Sequence, residues 1–275
     1  MDIADKIKIG TSGFSFKDWR GPFYPPALKQ DYLLEYYAGF FDVVEINASY
    51  YRIPTAESLA DMVRRTDPDF RFTVKLHRSM THDLDAALAT FRKFEEAITP
   101  LAENNRLDGL LAQFPAGFKF TADNLCRVLW TREELKPYPF FAEFRDSSWL
   151  CPEVLDIMRS AGIGWCSVDE PQIAGLLPPA AEATTKAGYV RFHGRNDIDW
   201  YNPREGSDRY NYDYSQRELA EWIPKIKSLA QKTGRTHVFF NNCHLGNAPK
   251  NAKMMKDMLG IPLIRKRRRG ELSLD

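Results

Sequence analysis

Cysteine is scarce: the chain has four in 275 residues. They are Cys126, Cys151, Cys166 and Cys243, and none stands in a C-x-x-C pair. That spacing excludes the usual structural zinc ribbon and the redox dithiol. So few thiols suit a reducing compartment, where they are expected to be free and buried. Net charge is nearly absent too, because 38 Lys and Arg face 37 Asp and Glu, leaving +1. The total therefore demands no nucleic acid, membrane or acidic partner. No run reaches about 18 uncharged apolar residues, so no membrane span is expected. The opening MDIADKIKIG carries acids early and lacks a long apolar stretch, so no secretory signal is expected and a cytoplasmic location is. No G-x-S-x-G elbow, G-x-G-x-x-G turn or P-loop occurs. No Gly/Ser-rich or Pro-rich linker divides the chain.

What is present is a large apolar fraction, 44% with 13% aromatic, enough for one sizeable core. Strand-like runs alternate with helical ones. The strands read as KIKIGTSGF, VVEINASYY, FRFTVKL, LDGLLAQFP, FFAEFR, GIGWCSVD, GYVRFHGR and THVFFNN. Helical spacing is clearest in DAALATFRKFEEAITPLAENN and SQRELAEWIPKIKSLAQKT, where Pro224 is expected to kink or restart the helix. The Ala- and Pro-rich stretch between strands six and seven is the weakest helix. About eight β-α units predict an α/β fold of one domain over 1–275, a TIM (β/α)8 barrel irregular around the sixth helix. The polar, aromatic segment 196–214 predicts an extended functional loop. The basic run in 265–275 predicts a mobile tail.

In such barrels the site lies at the C-terminal strand ends. The polar residues there are Thr11 and Ser12; Glu45, Asn47 and Ser49; Lys75 and His77; Gln113; Glu143 and Arg145; Asp169 and Glu170; Arg191, His193 and Arg195; Asn241, Asn242 and His244. Residues two apart on a strand share a face. So Glu143 with Arg145, and Arg191 with His193 and Arg195, are expected to point the same way. A set this dense is costly to bury unless it pairs internally or holds a ligand.

The segments GTSGFSFKDWRGPFYP, VEINASYY, FTVKLHRSMTH, QFP, EFRDSSW, RFHGR and FNN together resemble the YecE-like family, also called domain of unknown function 72. The resemblance spans about 10–251. It implies a TIM barrel and a bacterial or archaeal intracellular protein, and brings no settled reaction. Phe14 and Phe16 stand where the family more often shows Trp and Tyr. Asp146 stands where a His is common, which removes an imidazole from that place.

Three chemistries fit this inventory. The first is an enzyme acting on a phosphorylated or otherwise anionic small molecule, such as a sugar derivative. Arg145, Arg191 and Arg195 would bind the anion. Lys75, Glu143, His193 and Glu45 would move protons. Ser12, Asn47, Gln113, Asp169, Asn241 and Asn242 would contact or orient the ligand. Trp19, Tyr24, Trp200 and Tyr201 would stack on a ring or pack their loops. The second is a divalent-metal site built from Glu45, Glu143, Asp169 and His193. The five histidines and the neighbouring cations weigh against it. The third is nucleic-acid binding or phosphodiester cleavage, with the basic tail on phosphates. A non-catalytic binding barrel is the plain alternative. The backbone of GTSGF offers N–H groups to an anion, while Ser147 and Ser148 are expected to cap the next helix. Substrate and oligomeric state are not written in the sequence.

Overall fold

In the computed structural model the described residues are 3–201, 203–204 and 208–263. The basic run at 265–275 lies outside them. The chain alternates strand and helix: α1 (Ile3–Lys6), β1 (Ile7–Thr11), α2 (Leu33–Ala38), β2 (Val43–Ile46), α3 (Ala56–Arg64), β3 (Arg71–Lys75), α4 (Arg78–Thr81), α5 (Leu88–Glu103), β4 (Leu107–Gln113), α6 (Ala122–Glu134), β5 (Phe140–Glu143), α7 (Pro152–Ala161), β6 (Ile163–Asp169), β7 (Ala187–Phe192), α8 (Gln216–Ala220), α9 (Ile223–Lys232), β8 (Arg235–Phe240) and α10 (Asn247–Met258). Every strand pair is parallel, in the order β1-β8-β7-β6-β5-β4-β3-β2. This is the expected single TIM-type barrel.

The strands are nearly continuous apolar runs because both faces are covered, the inner by side-chain layers and the outer by helices. β2 and β5 are buried along their whole length. Closure between β1 and β2 is the loosest join. It is made by a single bridge, Ser12 with Glu45, and by Gly13 N–H to the Glu45 carbonyl at 2.8 Å. Lower down, the Tyr37 hydroxyl stands in for a direct ladder bond. It accepts from Thr11 N at 2.8 Å and donates to Val43 O at 3.1 Å. Gly10 is required there, since a Cβ would come within 2.1 Å of Val43 O.

Two departures have local causes. Between β6 and β7 the described chain forms no helix. It crosses as an irregular segment pinned by Thr184, whose hydroxyl donates to Ile163 O at 2.7 Å and accepts from Trp165 N at 2.7 Å. The long predicted helix before β8 is split, and α9 restarts with Pro224 in its first turn, where a missing N–H costs nothing. The cysteines are all free, but only Cys166 is buried; Cys126 is exposed and the other two are intermediate. No helix among the described residues is long and apolar enough to cross a membrane.

Candidate functional site

The strand ends build two layers. The lower one is dry. Arg191, at the end of β7, is 1% exposed and lies between two fully buried carboxylates. It donates to Glu143 Oε2 at 2.6 Å and to Glu45 Oε1 at 2.7 Å, with a longer contact to Ser12 Oγ at 3.3 Å. Tyr189 OH donates to the other oxygen of Glu45 at 2.7 Å. Arg145 Nε then reaches Glu143 Oε1 at 2.7 Å, and its NH1 reaches Glu170 Oε2 at 2.8 Å. The shared face of Glu143 and Arg145 thus serves first to pair them with each other. Burial alone would raise Glu143, but Arg191, Arg145 and His193 outweigh it and hold its carboxyl well below the usual range.

His193 sits at the edge of this layer. Its Nδ1 accepts from Asn241 Nδ2 at 3.0 Å and faces Arg145 NH2 at 3.5 Å. That arrangement puts its proton on Nε2, 3.1 Å from Glu143 Oε1 though out of line for a hydrogen bond. Burial, with Arg145 adding repulsion, pushes the imidazole down to about 3, so it is neutral at ordinary pH.

The upper layer surrounds a cavity of about 420 Å³. Lys75, Gln113, Arg145, Asn47, Asn241, Trp200 and Tyr201 all line it. These are the expected site residues that the fold brings to one wall. Lys75 Nζ donates to Gln113 Oε1 at 2.8 Å and lies 4.3 Å over the Tyr50 ring. The Gln113 amide is fixed by its own bond to Phe114 O at 2.7 Å. No Asp or Glu among the described residues lines the cavity. Burial, then repulsion from Arg191, lowers the Lys75 ammonium to about 7. Glu170, behind Arg145, is pushed up to about 7 by burial that Arg145 only partly offsets.

Other expected residues are placed elsewhere. The alternation along β7 stops at His193, because Gly194 turns the chain at φ +93° against Tyr212. Only glycine adopts that conformation cheaply. Arg195 is therefore diverted to Asp169 at 2.7 Å and Glu221 at 2.9 Å. Asp169 also accepts from Tyr214 OH and Trp222 Nε1, both at 2.6 Å, and belongs to the wall packing behind the site. Asn242 donates to Tyr212 O and Asn251 Oδ1, outside the cavity. His77 caps α4 by accepting from Ser79 N. The GTSGF N–H groups are spent within the barrel: Ser12 N on Phe240 O and Gly13 N on Glu45 O. Ser148 accepts from Phe120 N, while Asp146 caps the turn, so neither serine caps α7. Trp19 and Tyr24 are fully buried loop packing.

A divalent cation does not fit the proposed carboxylate set. Arg191 already occupies the space between Glu45 and Glu143, and Asp169 is committed to Arg195. Among the described residues no group of three or more His, Cys, Asp or Glu is arranged to hold a metal.

Residues not anticipated include Tyr51, His82, Arg209 and Tyr210 on the cavity wall. Arg209 and Tyr210 were signalled only by the polar, aromatic character of the 196–214 loop. His82 lay within the quoted FTVKLHRSMTH segment.

Parallel barrel and polar strand-end cavity together define a (β/α)8 protein of the kind that carries its site at the C-terminal mouth. The family described as "Protein of unknown function DUF72" matches residues 8–270, and the chain belongs to it. It is 34% identical over 271 residues to the UPF0759 protein YunF of Bacillus subtilis (strain 168), covering 93% of this chain and 95% of that one. A DUF72 family protein from Thermotoga maritima MSB8 has a similar structure, with TM-score 0.83, 41% identity, and coverage of 92% of this chain and 99% of that chain. Another from Enterococcus faecalis V583 has TM-score 0.85 at 27% identity, covering 96% of this chain and 100% of that chain.

Proposed function

We propose that the protein is an enzyme that binds a small anionic molecule in this cavity and moves a proton with Lys75. The observation that carries the reading is the state of Lys75. It is an almost buried amine with a pKa brought down to about 7, and it faces a wall that carries no carboxylate among the described residues. An amine near neutrality can both give and take a proton at working pH. A bound anion would favour its charged form. Arg145, already paired with Glu143 and Glu170, adds positive potential to the wall, while Asn47, Gln113 and Asn241 orient the rest of the molecule. Glu143, Glu45 and Arg191 act from beneath by fixing Arg145 and the local potential. His193, neutral and bonded to Asn241, positions that amide.

The test is ligand-induced thermal stabilisation with a panel of phosphorylated and carboxylated metabolite-sized compounds, beside duplex DNA across a salt series. Wild type is expected to respond to anionic compounds, more at pH 6.5 than at pH 8.5, because Lys75 loses its proton through about 7. Lys75→Met should weaken binding by about ten- to a hundredfold, the scale of one charge-assisted hydrogen bond, and Arg145→Met by less, since its guanidinium is already paired. Full affinity in both variants, or a response confined to DNA that falls steeply with salt, would remove the assignment.

A further inference from the structure

Counting charge around the cavity narrows the ligand class. Lys75 has no carboxylate within ion-pair distance among the described residues, and neither does Arg209. Arg209 comes from the loop after β7, and its Nε is buried with no hydrogen-bond partner. Its guanidinium carbon lies 5.8 Å from the Trp200 ring centre, and that of Arg145 lies 5.6 Å from the same ring. Arg145 is already balanced by Glu143 and Glu170. So the wall holds two basic side chains without a counter-charge among the described residues, set beside a third whose charge is satisfied. Lys75 is buried and Arg209 half-buried, and a desolvated cation without a partner is costly unless a ligand supplies the opposite charge.

We propose that the cavity takes the terminal phosphomonoester of a small molecule, with Lys75 and Arg209 meeting its two charges. This rests on the anionic-ligand reading above and goes beyond it by fixing the charge and the ester class. A phosphomonoester carries about −1.5 to −2 at neutral pH, whereas a carboxylate or a phosphodiester carries about −1. The cavity, about 420 Å³ and open to solvent on one side, suits one phosphate with one ring or short chain. The rings of Tyr50, Trp200 and Tyr210 on the same wall offer faces for the remainder of the molecule.

The experiment compares phenyl phosphate with methyl phenyl phosphate by calorimetric titration at pH 7. The two share a ring and differ by one charge and one ester. Wild type should bind the monoester at least about tenfold tighter. Arg209→Met should reduce monoester affinity by about ten- to a hundredfold, the range of a charge-assisted contact, and leave the diester within about threefold. Arg209→Lys should recover most of the loss. Equal binding of the two probes by wild type, or equal loss of both in Arg209→Met, overturns the phosphomonoester assignment. Binding of carboxylates alone also overturns it but leaves the anionic-ligand reading intact. Binding of no anion at all removes both. The wild-type comparison stands without any variant, so a poorly folded Arg209→Met would not spare the proposal.

Discussion

Two arginines two strands apart lead different lives. Arg191 and Arg145 both point into the barrel, yet Arg191 is sealed between Glu45 and Glu143 while Arg145 reaches the cavity wall. In the lower layer each cation meets carboxylates in good geometry. In the upper layer, Lys75 and Arg209 meet none among the described residues. The same residue types are structural cement in the lower layer and, in the function proposed above, ligand contacts in the upper one. What separates the two roles is the supply of counter-charge, since a saturated ion pair has little left to offer a ligand and an unsaturated cation has much.

Breaking the lower layer should have the largest effect. Arg191→Met leaves Glu45 and Glu143 buried with their main partner gone. Removing one member of a buried pair typically costs about 3–5 kcal/mol, so the variant should lose that much in denaturant unfolding. Replacing Arg191, Glu45 and Glu143 together with Met and Gln should recover part of it, because no uncompensated charge remains. If Arg191→Met unfolds like wild type, the lower layer is not the cement described.

The upper layer should behave in the opposite way. Lys75 has its folded pKa depressed from 10.5 to about 7. Between those values the unfolded chain binds the extra proton, so stability rises with pH across that window. Below about 7 both states are protonated and the penalty for a desolvated ammonium is present in full. Lys75→Met should therefore be more stable than wild type, by a margin that is largest near pH 6 and shrinks towards pH 10. Chemical unfolding at a series of pH values measures it. A constant margin would mean that Lys75 titrates normally and the upper layer resembles the lower.

The fold and most of the strand-end residues were legible because parallel strands covered on both sides leave unbroken apolar runs, and polar groups interrupt them only at the mouth. Lys75, Gln113, Arg145, Asn47 and Asn241 could be found that way. Depth could not, because whether Arg191 faces a ligand or two carboxylates depends on strands 146 residues apart in the chain, as its bond to Glu45 illustrates. Arg195 was misdirected by a single backbone angle at Gly194, which the period-two pattern ignores. Arg209 lies in a loop where no periodicity operates, so only the composition of the segment hinted at it. The missing sixth helix was signalled by its Ala- and Pro-rich sequence, but the Thr184 bonds that replace it were not.

The smallest expected effect sits at the join between the layers. Glu170 holds Arg145 from behind and has its folded pKa raised from 4.5 to about 7. A carboxyl shifted upward adds stability that is complete below about 4.5 and is lost as pH rises through about 7, since the folded state keeps the proton longer. This runs opposite to Lys75 and over a narrower window. Glu170→Gln removes the titrating group, so its unfolding free energy should lack a downward slope of at most about 1.4 kcal/mol per pH unit between pH 5 and 7. Arg145 keeps Glu143 at 2.7 Å in that variant, so the lower layer should survive. The freed NH1 should tighten anion binding above pH 7, where wild-type Glu170 is ionised and competes for it. An unchanged slope together with unchanged affinity would place Glu170 wholly in the structural layer and move the boundary between the two regions up to Arg145 itself.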